Sequence, residues 1–546
     1  MNRGDSSHRL TRRELLQVLG AGAGMVVAAA CAPISSPSGG SKPGGAPTVA
    51  PAPAGSTPGP ASNSGATAPR KGGKLTAGHT ADFVNFDPLN QAIGNYAMIN
   101  QLYNVLVRYD EKLQPQPELA ESWQLSADGK SLRMSLRKDV KFHDGRPMVA
   151  EDVVFSLKRL QDPKTGANGQ LLAKAVTGVE TPDPYTVVFN YDKPNPVPFE
   201  LLQVLPIQDQ KAIADTTKAN GTGPFKLVEW RPGDRARFVR NEQYWRSERP
   251  YLDEIIVSVL PDHQTMTANL QAGAIDTMLA PAVTDYARLK DNPQFKSVFP
   301  PPGGQVLNIL MNVTRPPFDK KEVRQAISYA LNRQRVIEVA YMGIGKLHGL
   351  PFPVGSLGYD EEINKQATTF DLDKAKKLIG EAGYPNGFEA TIQASAALGQ
   401  DRAQAAQILQ ADLAKIGVKL TIENPEAAVY RQRFLKGDYQ MSAHSTNQAN
   451  KDPSTLFGTT FTYSPENGST HFKSDEYSKL VEAGATTLDP AKRREIYQQV
   501  AKLLVDEAFV LVAAQQPMME TMHSYVEGVR LTHDSFQLYE NAWLNK

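Results

Sequence analysis

Between Leu119 and Leu160 the apolar residues change their spacing, and that change constrains the fold more than any other stretch of the chain. Leu132, Met134 and Leu136 alternate with Arg133, Ser135 and Arg137, the period-two pattern of a half-buried strand. Asp128-Gly129 ahead of them is turn chemistry, so a hairpin is predicted. His143-Asp144-Gly145-Arg146-Pro147 then reads as a loop. From Ala150 to Leu160 the spacing turns helical, with Val153, Val154, Leu157 and Leu160 on one face. Glu151 and Asp152 open that helix and Lys158 and Arg159 close it, each where the helix dipole favours its charge. His143 beside Asp144 belongs to the turn, since no third ligand stands at metal spacing.

A chain of 546 residues is too long for one ordinary core, so two or more lobes are expected. Helix and strand patterns follow each other along it. Residues 96–107 are predicted helical, with Ile99, Leu102, Tyr103 and Leu106 on one face. Asp319 and Glu322 form a capping box ahead of the stripe Val323, Ala326, Ile327 and Ala330. A helix over 371–382 stops at Gly383 and Pro385; another over 401–416 stops at Gly417, and Val418, Leu420 and Ile422 then alternate as a strand. Asp489-Pro490 opens the last long helix. Units of this kind predict an α/β fold. Gly221-Thr222-Gly223 is not a phosphate loop, because a strand pattern follows it and no lysine-serine pair does.

Charge and cysteine content remove whole classes of function. The net charge is +1, with basic residues scattered among acids, so no nucleic-acid partner is expected. One cysteine, Cys31, excludes both a disulfide framework and a cysteine-rich zinc site. It follows Ala28-Ala29-Ala30 at the end of a short apolar run that Arg9, Arg12 and Arg13 precede, so residues 1–31 read as an export signal. Thr11-Arg12-Arg13-Glu14-Leu15-Leu16 resembles a twin-arginine motif, with ordinary Sec export as the alternative. Ala28 to Cys31 resembles a lipobox, so Cys31 is expected to carry lipid; the alternative is cleavage at the Ala-x-Ala site and a free thiol. Residues 32–73 are almost wholly Pro, Gly, Ser, Ala and Thr, with too little apolar surface to offset chain ordering, and read as a disordered tether.

Three segments carry a resemblance to a known family. Leu119-Ala120-Glu121-Ser122-Trp123, then Lys141-Phe142-His143-Asp144-Gly145, then Glu151-Asp152-Val153-Val154-Phe155-Ser156 resemble the segment diagnostic of the bacterial extracellular solute-binding proteins of family 5. Gly221-Thr222-Gly223-Pro224-Phe225, Tyr244-Trp245 and Tyr251-Leu252-Asp253-Glu254-Ile255-Ile256 are similar to that family too. These are the large receptors of ABC importers that include oligopeptide-, dipeptide- and nickel-binding proteins.

The resemblance implies a two-lobed periplasmic-binding-protein-like fold of type II, with mixed sheets flanked by helices and a hinge. Lobe I would span 74–305, with an extra subdomain at about 88–205; lobe II would span 306–515, and 516–546 would return to lobe I. It implies an extracytoplasmic, lipid-anchored receptor without cofactor or resident metal, expected as a monomer. Its partners would be a small-molecule or peptide ligand, an ABC permease and the permease's ATPase. Candidate ligand-contacting residues are His79, Asp82, Asn95, Tyr96, His444, Asn447 and Asp452.

In peptide-binding members an acid shortly before an Asp-Pro takes the ligand's amino terminus. Here Asp452-Pro453 is kept, but Ala449, beside Asn447 and Gln448, stands near the acid's place, and no cation stands at Ser395-Ala396-Ala397-Leu398. An unpaired ammonium in a closed cleft is costly, so a neutral polar ligand such as a sugar is the alternative to a peptide. Two other readings are a sensory or chaperone-like binding module and an extracytoplasmic hydrolase. The hydrolase finds no Gly-x-Ser-x-Gly or His-Glu-x-x-His to support it.

Overall fold

The structure, a computed structural model, describes residues 68–546 apart from 91–94, 168, 302, 450 and 467. The export and lipidation readings at Arg12, Arg13 and Cys31 lie outside the described residues, as does the tether up to residue 67. No described helix is long and apolar enough to cross a membrane.

The hairpin at the centre of the sequence pattern forms as expected. Ala120–Leu125 and Ser131–Leu136 pair antiparallel, and Thr186–Tyr191 and Val176–Asp183 extend them to a four-stranded sheet. Leu132, Met134 and Leu136 face one way, into a core completed by Val153, Leu157 and Leu160 of the helix Ala150–Gln161. Burying each of these side chains contributes about 1.5–3 kcal/mol.

A seven-stranded mixed sheet forms the body of lobe I. Lys74–His79 lies parallel to both Glu254–Val259 and Thr277–Leu279. Glu520–His523, from the end of the chain, fits antiparallel between Thr277–Leu279 and Phe295–Val298.

Lobe II is built on a five-stranded sheet in the order Lys419–Glu423, Glu389–Gln393, Met441–Asn447, Gln305–Met311, Val510–Gln515. Its strand Gln305–Met311 is buried at every residue but the first. Cover on both faces explains why its apolar run does not alternate. Helices Lys321–Ala330, Leu372–Glu381 and Gln400–Ala414 supply one layer, through Val323, Ala326, Ile327 and Ala330 among others. An aromatic core holding Tyr430, Tyr463, Tyr477, Tyr497 and Phe509 supplies the other. The chain thus leaves the lobe I sheet after Val298, enters lobe II at Gln305, and returns between Gln515 and Glu520.

Two local expectations are corrected. The helix predicted over 96–107 ends at Leu102, and Val107–Tyr109 is a strand paired with Pro115–Pro117. The cause is long-range: Leu102 O accepts the Gly223 N–H at 2.9 Å. An alanine Cβ at Gly221 would lie 1.9 Å from Leu102 O, and one at Gly223 would lie 2.4 Å from Gln101 O, so both glycines exist to let two backbones meet. His143 fastens the same corner, with Nε2 3.1 Å from Gly223 O and its own N–H on Gly221 O. Burial lowers its pKa to about 4, which keeps it neutral.

The second correction concerns Asp319, which does not cap. The helix starts at Lys321 behind Lys320, and no side chain bonds its first turn. The carbonyls of Phe318 and Asp319 are turned toward Nη1 of the buried Arg324, so the chain bends there before the helix can begin.

Candidate ligand-binding cavity between the lobes

The strand Met441–Asn447 is buried at its start and opens at its end, where Asn447 is exposed. Its last residues reach the gap between the lobes and form one wall of a cavity of about 470 Å³, within the range that holds small ligands. Lobe II adds Phe434 from the helix Ala427–Lys436, and Thr460, Phe461 and Thr462 from the turn after the helix Ser454–Thr459. The opposite wall holds Leu172 and Val204 from the neighbourhood of the four-stranded sheet, and Asp534, Ser535 and Phe536 from the final segment. Gly304 and Met518, from the two connections between lobes, also line it.

One face of the cavity is aromatic. The rings of His444 and Phe434 stack with centroids 3.8 Å apart, and Phe461 stands edge-on to Phe434 at 5.8 Å. Tyr430 holds the stack from behind: its hydroxyl donates to Ala443 O at 2.7 Å and lies 3.0 Å from His444 Nδ1. With the Tyr430 proton on that carbonyl, Nδ1 of His444 is the donor and Nε2 keeps a lone pair. Burial, with Arg402 adding to it, lowers the His444 pKa to about 3, so the ring is neutral.

The rest of the wall is polar. Asn308 Nδ2 fixes Thr446 Oγ1 at 2.8 Å, and the Gln448 N–H binds Gly304 O at 2.8 Å. Three hydroxyls on the wall, those of Ser445, Thr462 and Ser535, are buried without a hydrogen-bond partner. Buried hydroxyls without partners are rare, and all three belong to residues that line the cavity. Among the described residues no three His, Cys, Asp or Glu gather as a metal site requires.

Of the residues picked from the sequence, His444 and Asn447 line this cavity and the others do not. His79 Nδ1 takes the Ala81 N–H at 2.7 Å, and burial lowers its pKa. Asp82 receives the N–H groups of Phe83 and Gly233, at 2.7 and 2.6 Å. Asn95 bridges the Val84 N–H and Asn90 O. All three hold the loop after the first strand in place. Tyr96 opens the helix Tyr96–Leu102, and its side chain lies outside the described residues. Asp452 is 2% exposed and belongs to an ion pair with Arg493 inside lobe II. Ala449 is 1% exposed, packs in the aromatic core and donates its N–H to Pro351 O.

Sequence reasoning missed Phe434, Phe461, Thr462 and the whole Asp534–Phe536 wall. No motif marks them; only the expected return of 516–546 to lobe I pointed toward the last three.

The lobes also touch where Lys193 Nζ meets Glu482 Oε1 at 2.7 Å, with both side chains exposed. A screened surface pair adds little. Lys193→Ala is expected to change ligand affinity less than roughly threefold, and the change should vanish at high salt. Calorimetric titrations at low and high salt check this.

Comparisons with known proteins agree with this geometry. Residues 114–468 match the family model described as bacterial extracellular solute-binding proteins, family 5 Middle. The chain is 30% identical over 472 residues to the Heme-binding protein A of Haemophilus influenzae, covering 78% of this chain and 82% of the relative. It is 31% identical over 464 residues to the Dipeptide-binding protein of Escherichia coli, covering 78% and 86%. Its fold superposes on the periplasmic binding protein DppA from Helicobacter pylori, solved with the peptide STSA, at a TM-score of 0.72 and 26% identity, covering 87% of this chain and 99% of that one. The two-lobed fold of mixed sheets and flanking helices is thus shared, and this chain belongs to the bacterial extracellular solute-binding proteins of family 5, the substrate receptors of ABC importers.

Proposed function

We propose that the protein captures a small polar solute, with peptides as the leading class, in the cavity between its lobes and hands it to a membrane permease driven by its ATPase. One observation carries this reading: the 470 Å³ cavity takes its walls from both lobes, so a ligand there is buried only when the lobes are together. Ligand contacts to both sides favour the closed form, and that differential affinity is what a permease can sense. The relatives named for dipeptides and for heme support a solute receptor and leave the ligand class wide.

Hydroxyls and amides on the wall, with Ala449 drawn into the core, support a second ligand reading, a neutral solute such as a sugar. We further propose that the receptor acts as a monomer outside the cytoplasm, exported through Arg12 and Arg13 and anchored by lipid on Cys31, with residues 32–73 as its tether. Lobe I is taken as 74–305, with its subdomain at about 88–205, lobe II as 306–515, and the return as 516–546.

Asn447→Trp tests the site. Asn447 is exposed on the wall, so an indole there fills the cavity without entering the core. Native mass spectrometry should show retained ligand reduced at least about tenfold, with stability unchanged to about 0.5 kcal/mol, as for other surface substitutions. Full retention of ligand in this variant would locate binding elsewhere.

A further inference from the structure

We propose that Leu488 of lobe II is a catch, seated on Gly129 and Pro194 of the lobe I subdomain, that holds the lobes together whether or not a solute is bound. This rests on the reading of the cavity as the solute site and adds what sets the rate at which the solute leaves.

Gly129 stands in the turn between the strands Ala120–Leu125 and Ser131–Leu136. Turns of this kind stand in solvent, and its neighbours Asp128 and Lys130 are exposed, yet Gly129 itself is buried. Its cover comes from the other lobe. An alanine Cβ at Gly129 would lie 2.5 Å from Leu488 Cδ2 and 3.4 Å from Pro194 Cβ, so the leucine methyl rests on bare backbone beside the proline ring.

Both halves of the contact are held firmly. Asp128 accepts the Ser126 hydroxyl at 2.6 Å and the Lys130 N–H at 3.0 Å. Gly129 O accepts the Asn195 N–H at 2.8 Å, which ties the turn to the segment carrying Pro194. Leu488 is fixed between two helices: Thr487 closes Asp475–Thr486 by donating its N–H to Ala483 O at 3.0 Å, and Asp489 caps Pro490–Glu507. An apolar side chain between two helix caps, 37% exposed even here, gains from the cover that the notch gives it.

Leu488, Gly129 and Pro194 are not among the residues that line the cavity, so their contact needs no solute and breaks once the lobes part. The helices Gln170–Lys174 and Ser454–Thr459 also approach each other across the gap, but they carry Leu172 and Thr455, which line the cavity, so a solute acts on them directly. The exposed Lys193–Glu482 pair lies one residue before Pro194 on one side and on the helix before Leu488 on the other, and salt screens it. The leucine supplies the part that salt does not reach. Covering part of a leucine side chain changes the closed-to-open ratio by about fivefold. Because the catch acts on the closed form with and without solute, its effect falls on release more than on affinity.

The test is small-angle X-ray scattering of the full chain, freed of bound solute by unfolding in guanidinium and refolding. The wild-type chain is expected to scatter mainly as the closed form. Leu488→Ser should lower the closed-to-open ratio about fivefold, at low and high salt alike, with the urea midpoint unchanged. Gly129→Asn tolerates the φ of +68° at that turn and adds the Cβ that unseats Leu488, so it should act the same way, and the two substitutions together should do no more than either alone. A wild-type chain that scatters as the open form, a ratio that neither substitution moves, or effects that simply add, overturns the proposal. Native mass spectrometry after incubation with free dipeptides and dilution reads the consequence: Leu488→Ser should lose about fivefold faster any dipeptide that the wild-type chain keeps. Retention of no dipeptide counts against the peptide reading and leaves the scattering to decide on the catch.

Discussion

Asp452→Ala is expected to destabilise the protein by about 3–5 kcal/mol, the cost of leaving a buried charge without its partner. Asp452 is 2% and Arg493 4% exposed, inside lobe II. One carboxylate oxygen takes the Arg493 guanidinium; the other accepts the Ser454 N–H at 3.0 Å and the Ser454 hydroxyl at 2.6 Å. Arg493 Nε is held by Gly484 O at 3.0 Å, so the guanidinium cannot swing to water when the acid is gone. Asp452→Asn should lose less, because the amide oxygen can still serve Ser454. Urea unfolding measures both. The affinity of the folded fraction should stay unchanged, since Asp452 is not on the cavity wall. A variant that unfolds at the wild-type urea concentration yet binds weakly would restore Asp452 as a ligand residue and sink this account.

That reversal shows what sequence alone could reach. Local patterns were legible: Leu132, Met134 and Leu136 formed their strand, and Asp489 formed its cap, accepting the N–H groups of Ala491 and Lys492. Each is a matter of a few neighbouring residues. The patterns failed where a distant segment intervened, as when Gly223 took the Leu102 carbonyl, or where a buried neighbour competed, as when Arg324 drew in the carbonyls of Phe318 and Asp319.

The candidate residues divide, by where the fold places them, for the same reason. His444 and Asn447 were legible because they end a strand that the resemblance already set at the cleft. His79, Asp82 and Asn95 look alike in sequence, yet each is committed to a nearby backbone group. Thr462 and Ser535 carry no signature at all; only the folded arrangement brings them from distant segments to one cavity.

The second large effect is a pH dependence centred on Glu520, at the start of the strand by which the chain re-enters lobe I. Glu520 is fully buried, and burial pushes its carboxyl from 4.5 up to about 7, although the hydroxyls of Thr277 and Tyr539 donate to it at 2.6 and 2.8 Å and pull the other way. Its second oxygen has no partner. A carboxyl whose folded value lies above its unfolded value binds its proton more tightly in the folded state. Its contribution is therefore fully present below about pH 4.5 and is lost as the pH rises to about 7, beyond which the loss is constant. A shift of that size corresponds to roughly 3 kcal/mol. Glu520→Gln reproduces the shape of the neutral acid at every pH, so its stability should match wild type in acid and exceed it above neutrality. Melting temperatures of the two proteins across this range decide the matter: curves that diverge with rising pH carry the argument, and curves that stay parallel remove Glu520 from it.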